Sequence, residues 1–356
     1  MKNLVFFAAV LGLAGWFLSA GQWMMVAAMM IIICGHELGH WLPARFFGFN
    51  VPTFSIGFGS PAIRIGRLWG TDFQITPWLL GGYVQINPND DEFVNHPAWK
   101  RLVVMLGGVT MNLIMAVVLL VGACAIIGKP VPQPSVAHVL SASAPAARAG
   151  LHDGDVILSV DSTSVRAPED IVAIIGKHAD GTSAYILIER DGKKMTVTVQ
   201  PEQGKIGIQI GAKLSYEPMS LPAAAKQGVI FTGQILKGTV DGIGMQFGLV
   251  QAPKGADTHL HGMVGIVQMG GVAAQQGVFS FIWLVAALNI ALLVFNILPI
   301  GILDGGHVAY IVYEKITGRR VPQNVQAVIA AVSVALVLML FAYGLYNDFM
   351  YPVTGH

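Results

Sequence analysis

Charge is what this sequence has least of. Asp, Glu, Lys and Arg make up 12% of its 356 residues and hydrophobic types 54%, whereas a soluble domain usually carries roughly 25% charged residues. That balance excludes an ordinary water-soluble enzyme. The 21 Lys and Arg offset 20 Asp and Glu to leave +1, so no field draws in a polyanion and no nucleic-acid partner is expected. Cysteine is nearly absent too. Cys34 and Cys124 both lie in apolar runs and form no CxxC pair, which excludes a disulfide framework and a cysteine zinc site and leaves two buried thiols.

Long apolar runs take the place of charge. Residues 102–127, 278–303 and 327–346 each lack Asp, Glu, Lys and Arg, and each reaches the ~20 residues that carry a helix across ~30 Å of hydrocarbon. No charge occurs between Lys2 and Glu37 either. As one helix that stretch would reach ~50 Å at ~1.5 Å per residue, too long for one crossing. A break at Ser19 to Gln22 divides it into a segment from Asn3 to about Leu18, a span or a signal peptide, and a span from Gln22 to about Phe46. The fold class is therefore a multi-pass α-helical membrane protein with four or five spans. Arg45, Arg64, Arg67, Lys100 and Arg101 follow the Gln22 span, and Lys315, Arg319 and Arg320 follow the 278–303 span. Positive charges flanking spans stay in the cytosol, so the segment from Gly128 to Gly277 and the carboxyl terminus lie outside.

Between the spans the pattern changes. Thr53 to Phe58, Ala62 to Ile65, Asp72 to Thr76 and Tyr83 to Ile86 read as short strands separated by glycines, a β region beside the membrane. Val136 to Leu140, Asp155 to Val160, Tyr185 to Glu189 and Met195 to Val199 alternate as strands do. The run Ala144 to Leu151, then Gly154 to Ile157 and later Val160 and Asp161, resembles a bacterial PDZ domain, although Ser162 stands where such domains often have Gly. The resemblance implies a groove that takes an added peptide strand from a peptide or protein ligand. From Ser220 to Phe247 a Gly-rich, mildly amphipathic stretch suits the membrane surface.

Chemistry is concentrated at His36-Glu37-Leu38-Gly39-His40. Within a helix, positions i and i+4 lie one turn apart and aim both imidazoles at one point, as two metal ligands. At this chain's own composition, chance places HExxH in roughly 0.5% of such sequences. Ionisable groups at the end of an apolar span are also costly unless they face a partner or a cavity. Glu37 sits ~100° around the helix from His36, so it is placed to take a proton from water rather than to ligate. A catalytic zinc has three protein ligands and an open fourth place. Asp304, the sole acid between Asp257 and Glu314, is the candidate third ligand, against the alternative of an ordinary helix-capping Asp. Pro299, Gly301, Gly305 and Gly306 should unwind the end of its span and let the carboxylate turn inward. His36 lies ~21 Å along the helix from Gln22, near the cytosolic third of the bilayer, where Asp304 also closes its span.

HExxH at His36 to His40, Asn296-x-x-Pro299-x-x-x-x-Asp304-Gly305 and the intervening PDZ-like domain together resemble the site-2 protease family of intramembrane zinc metalloproteases, most of all its bacterial sigma-E-regulating branch. Phe54 to Gly59, Gly81 to Val84, Asp304 to His307 with Glu314 and Lys315, and Asn347 to Phe349 extend the likeness over almost the whole chain. It implies a bacterial inner-membrane enzyme that cleaves single-pass membrane proteins within the lipid bilayer, as in anti-sigma factor release. Zn2+ would be held by His36, His40 and Asp304, with water activated by Glu37. Asn296 would hydrogen-bond substrate backbone, and the strand with Gly81, Gly82 and Tyr83 would hold an extended substrate by edge pairing. On this basis the chain divides into N-terminal spans (1–46), a cytosolic-side membrane-associated β region (47–99), a transmembrane helix (100–128) and one extracytoplasmic PDZ-like domain (129–212). An amphipathic linker region (213–277), a transmembrane helix with the Asp ligand (278–306) and a cytosolic loop with the last span (307–356) complete it.

Departures from the family pattern are confined to non-ligands. Gly107, Gly108, Val109 and Asn112 stand where relatives usually have Pro after the paired Gly, and Gly301 replaces a second Pro; both predict altered helix geometry rather than lost chemistry. The other histidines, including His259 and His261, read as surface or loop residues without a second ligand. Two rival readings remain, a metal transporter and a catalytically inactive binder of membrane segments. The first would need ionisable groups along a path through the bilayer, and the spans at 102–127 and 327–346 have none. The second leaves all four proposed catalytic positions filled without use.

Overall fold

The computed structural model describes residues 18–86, 90–252 and 259–353; the segment from Asn3 to residue 17 lies outside them. The chain forms two compact units, residues 1–123 with 225–356, and residues 124–224.

In the first unit, helix α1 spans Ala20–Phe46 and opens where a break was expected. Ser19 caps it: the Gln22 amide donates to Ser19 Oγ and the Ser19 amide donates to Gln22 Oε1, which satisfies two otherwise orphaned donors. Strands β1 (Thr53–Phe58), β2 (Ile63–Leu68), β3 (Thr71–Ile75) and β4 (Trp78–Gln85) follow. They form one sheet in the order β2-β3-β1-β4, with β1 and β3 parallel and the other pairs antiparallel. Among the described residues β4 pairs with no strand but β1, so its other edge carries no strand. It begins five residues before Tyr83, where the sequence pattern had placed its start, because Gly81 and Gly82 lie inside the strand rather than before it. Trp41, Phe49, Val51, Phe54 and Val104 form a buried cluster that fastens the sheet to α1 and to a later helix.

Helices α2 (Asp90–Asn95) and α3 (Ala98–Ile126) complete the first half of this unit. The second unit consists of β5 (Lys129–Val139), α4 (Pro145–Arg148), β6 (Val156–Val160), β7 (Thr163–Ser164), α5 (Pro168–Ile175), β8 (Ala184–Arg190), β9 (Lys193–Val199) and β10 (Ile208–Glu217). Its sheet runs β10-β5-β6-β8-β9, with β7 on β6, around a core that includes Ile157, Ile171, Ile186 and Ile188. Strand β10 was not anticipated, because Gly207 and Gly211 interrupt its alternation.

The chain then continues through α6 (Leu221–Gln246), α7 (Met263–Gln276), α8 (Val278–Ile297), α9 (Asp304–Thr317) and α10 (Gln323–Met350). Helices α1, α3, α8 and α10 are long and apolar enough to cross a membrane, so the protein is a multi-pass membrane protein with a β region. On α10 nearly every large apolar side chain is exposed, Leu338, Met339 and Phe349 among them, as befits a surface whose solvent is hydrocarbon. The amphipathic stretch after Ser220 is indeed a single helix, α6, and does not rank with the four spans.

Two expectations are corrected here. Asp304 does not close a span: α8 ends at Ile297, residues 298–303 turn, and Asp304 opens α9. Pro299 removes the backbone donor that would continue α8, so the chain unwinds over residues 298–303, and an acid in a first turn suits the dipole of the helix that then begins at Asp304. His261, expected on a loop surface, is largely covered, its side chain 9% exposed and its Nδ1 3.4 Å from Asp348 Oδ1.

Candidate metal centre

Helix α1 carries His36 and His40 one turn apart on the face turned to α3, and both are buried. Gly39 makes that approach possible. A Cβ on Gly39 would stand 2.3 Å from the Gly107 carbonyl oxygen, and one on Gly107 would stand 2.0 Å from the Gly39 oxygen. The two backbones therefore cross in contact. This brings the Val104 carbonyl 2.7 Å from His40 Nδ1, so that Nδ1–H donates there and Nε2 keeps its lone pair.

The other side of the site comes from α9. Asp304 Oδ2 lies 3.3 Å from His36 Nε2 and 3.3 Å from His40 Nε2, and the two nitrogens are 3.3 Å apart. The edge of a tetrahedron is about 1.63 times its centre-to-corner distance, so metal bonds of ~2.0–2.1 Å require ligands ~3.3–3.4 Å apart. The observed triangle meets that requirement on all three edges. Asp304 Oδ2 is also buried without a hydrogen-bond partner, because the His40 nitrogen facing it holds a lone pair rather than a proton. An orphaned carboxylate oxygen and inward lone pairs suit a divalent cation and little else. Among the described residues this is the one group of three or more His, Cys, Asp or Glu side chains arranged to hold a metal.

Two residues that the sequence marked only as departures in helix geometry complete the surroundings. Asn112, fully buried on α3, has its amide 3.2 Å from His36 Nδ1, while its Oδ1 has no partner. Rotating the amide by half a turn directs Oδ1 to the ring, so that His36 Nδ1–H donates to it and Nε2 is left free to ligate. Gly108 lies under both rings: a Cβ there would be 2.3 Å from His40 Nε2 and 2.6 Å from His36 Cε1. The signal for Asn112 was present as an amide inside the charge-free run 102–127. No sequence feature distinguished Gly108 from its neighbour.

The remaining sequence candidates lie around this core. Glu37 faces β4: its Cγ would be 3.2 Å from a Cβ on Gly82. Gly81 packs beneath Phe58, whose ring a Cβ would meet at 2.3 Å. The Tyr83 hydroxyl accepts from Gln74 Nε2 at 3.3 Å, on the face opposite Gly82. Asn296 is half-buried in the last turn of α8. At Gly301 the amide donates to Ser333 Oγ at 3.1 Å, a bond that the proline common at this position could not make.

A buried three-ligand cation site built between long apolar helices defines a membrane-embedded metalloprotein. The sequence matches peptidase family M50 over residues 24–340, and the chain belongs to that family, the site-2 proteases, which are zinc-dependent peptidases. It is 33% identical over 339 residues to "Putative zinc metalloprotease all3971" of Nostoc sp., covering 88% of this chain and 92% of that protein. It is 29% identical over 359 residues to "Putative zinc metalloprotease Atu1380" of Agrobacterium fabrum (91% and 94%), and 26% identical over 376 residues to "Metalloprotease MmpA" of Caulobacter vibrioides (91% and 94%).

Proposed function

We propose that this zinc peptidase is an intramembrane endopeptidase that cleaves single-pass membrane proteins, of the kind whose cleavage releases anti-sigma factors. The observation that carries the proposal is the ligand triangle itself, with two ligands on the membrane-length helix α1 and the third just past the end of the membrane-length helix α8, next to a strand edge that pairs with no other strand among the described residues. His36, His40 and Asp304 hold Zn2+, and when bound the ion supplies Lewis-acid polarisation and makes water acidic enough to deprotonate near neutral pH. Glu37 takes the proton from the attacking water and passes it to the departing amide nitrogen. Asn112 and the Val104 carbonyl fix the two imidazole tautomers.

A peptide bond in a helix is shielded, so the substrate must unwind and its freed amides and carbonyls must find partners in the bilayer. The edge of β4 supplies them. Because the Pro52 and Ile56 carbonyls accept from Asp72 and Thr76 on the β3 side, Ser55 is left to bond its partner Tyr83 of β4, and the alternation of an antiparallel pair turns the Gly82 amide and carbonyl outward. Gly82 and its neighbours Gly81 and Tyr83 thus present the substrate strand beside the general base, and Asn296 adds a polar partner for substrate backbone. The positive flanks of the spans support reading this side as the cytosolic face of a bacterial inner membrane. The unit at 124–224 is read as an extracytoplasmic PDZ-like domain whose groove receives a peptide or protein ligand.

A tagged single-span reporter, reconstituted in liposomes with wild type or Glu37→Gln, tests the reading. Cleavage by wild type and none by the variant, with zinc retained in both, is the expected result. Equal turnover by the two proteins contradicts it.

A further inference from the structure

The third ligand reaches the site at the start of α9, after a break in the helical path from α8. Residues 298–303 bend between α8 and α9, so the position of Asp304 depends on what α9 packs against. At its start, Gly305 and Gly306 lie tight on the backbone of residues 297–301. Further along, Glu314 makes a two-pronged bond with Arg101 of α3, Nη1 to Oε2 at 2.9 Å and Nη2 to Oε1 at 3.0 Å. Arg101 is only 5% exposed, its Nε donates to the His96 carbonyl at 3.1 Å, and its guanidinium lies 6.0 Å from the Phe93 ring centre. Among the described residues no other side-chain hydrogen bond joins α3 to α9.

The two ends of this bond belong to the two helices that complete the metal centre. Arg101 stands one turn before Val104, whose carbonyl fixes His40, and on the same helix as Gly108 and Asn112. Glu314 stands ten residues beyond Asp304 on one continuous helix. A planar fork locked at both nitrogens sets the direction and the distance between helices, which a point charge would not.

We infer that Arg101 and Glu314 are positioning residues that hold Asp304 at ligating distance from the imidazoles, by locking α9 to the helix that backs the histidines. The inference rests on reading His36, His40 and Asp304 as the zinc site. Neither residue is among the ligands, so their effect is on the geometry of the ligand triangle and is read most directly as zinc affinity.

The test uses full-length protein in detergent, stripped of metal, with zinc affinity measured by competition against a chelating dye. Arg101→Gln and Glu314→Gln should each weaken zinc about tenfold, the lower end of what losing an outer partner costs a metal site. The double variant should be no weaker than the weaker single, since the first substitution already opens the lock. Arg101→Lys, which keeps the charge and loses the fork, should fall between wild type and Arg101→Gln. Single variants within twofold of wild type, or losses that add in the double variant, overturn the inference. If the glutamine variants do not fold, the lysine variant decides: an affinity equal to wild type overturns it. Failure of wild type itself to bind zinc would refute the site, whereas tight zinc binding in every variant would refute only the lock.

Discussion

Replacing Asn112 by Ala removes a partner of His36 without touching a ligand. In wild type the buried amide stands 3.2 Å from His36 Nδ1, and with its oxygen turned to the ring it holds the proton on Nδ1 and the lone pair on Nε2. Alanine leaves Nδ1 without a partner in a buried place and frees the ring to rotate about its bond to Cβ. Loss of such an outer partner costs about 10–100-fold in metal affinity, which is ~1.4–2.7 kcal/mol. Asn112→Asp offers the same acceptor with more charge and should restore most of the affinity. The assay is zinc competition on metal-free protein, with reporter cleavage at saturating zinc as a second readout. Zinc affinity in Asn112→Ala equal to that of wild type would refute the argument that this amide orients the ligand.

Three further outcomes are expected. Gly108→Ala places a carbon 2.3 Å from His40 Nε2; zinc affinity should fall by more than about 100-fold while circular dichroism keeps its helical signal, because alanine favours a helix over glycine by ~1 kcal/mol. Gly82→Pro deletes an amide from the open edge of β4, so reporter cleavage should fall at least about tenfold while zinc content holds; unchanged cleavage would remove β4 from substrate binding. In the second unit, burial opposes the charged form of Asp155, but the Arg190 guanidinium and the His152 amide outweigh it and hold the carboxyl below its usual range. A depressed folded pKa means that the pair stabilises fully above the ordinary Asp value of ~3.9 and loses its contribution as pH falls through the folded value. Amide exchange in β6 and β8 should therefore be faster in Asp155→Asn than in wild type at neutral pH, and the difference should vanish on strong acidification.

The four spans and most strands were legible because hydrocarbon and a pleated sheet each impose a period that side chains must follow. Helix α1 was read nearly to its first residue, since the charge-free stretch after Lys2 is too long for one crossing and breaks at Ser19 to Gln22. The restart of the chain at Asp304 was not legible: Pro299 announces an interruption, but whether the chain then unwinds or begins a new helix depends on the packing of Gly305 and Gly306 against residues 297–301. Within the site, HExxH declared itself through spacing, and Asp304 through the scarcity of other acids. Asn112 and Gly108 did not, because their roles exist only once α3 crosses α1 at Gly39 and Gly107. A contact between helices separated by about 50 residues, a four-stranded sheet among them, leaves no local mark on either segment.

Metal analysis of purified wild type and Asp304→Ala bears most directly on the centre of this account. One zinc per chain in wild type and a loss of nearly all of it in the variant is the predicted result. Zinc retained at full stoichiometry and unchanged affinity in Asp304→Ala would mean that the carboxylate is not a ligand and that the 3.3 Å triangle is not the metal site.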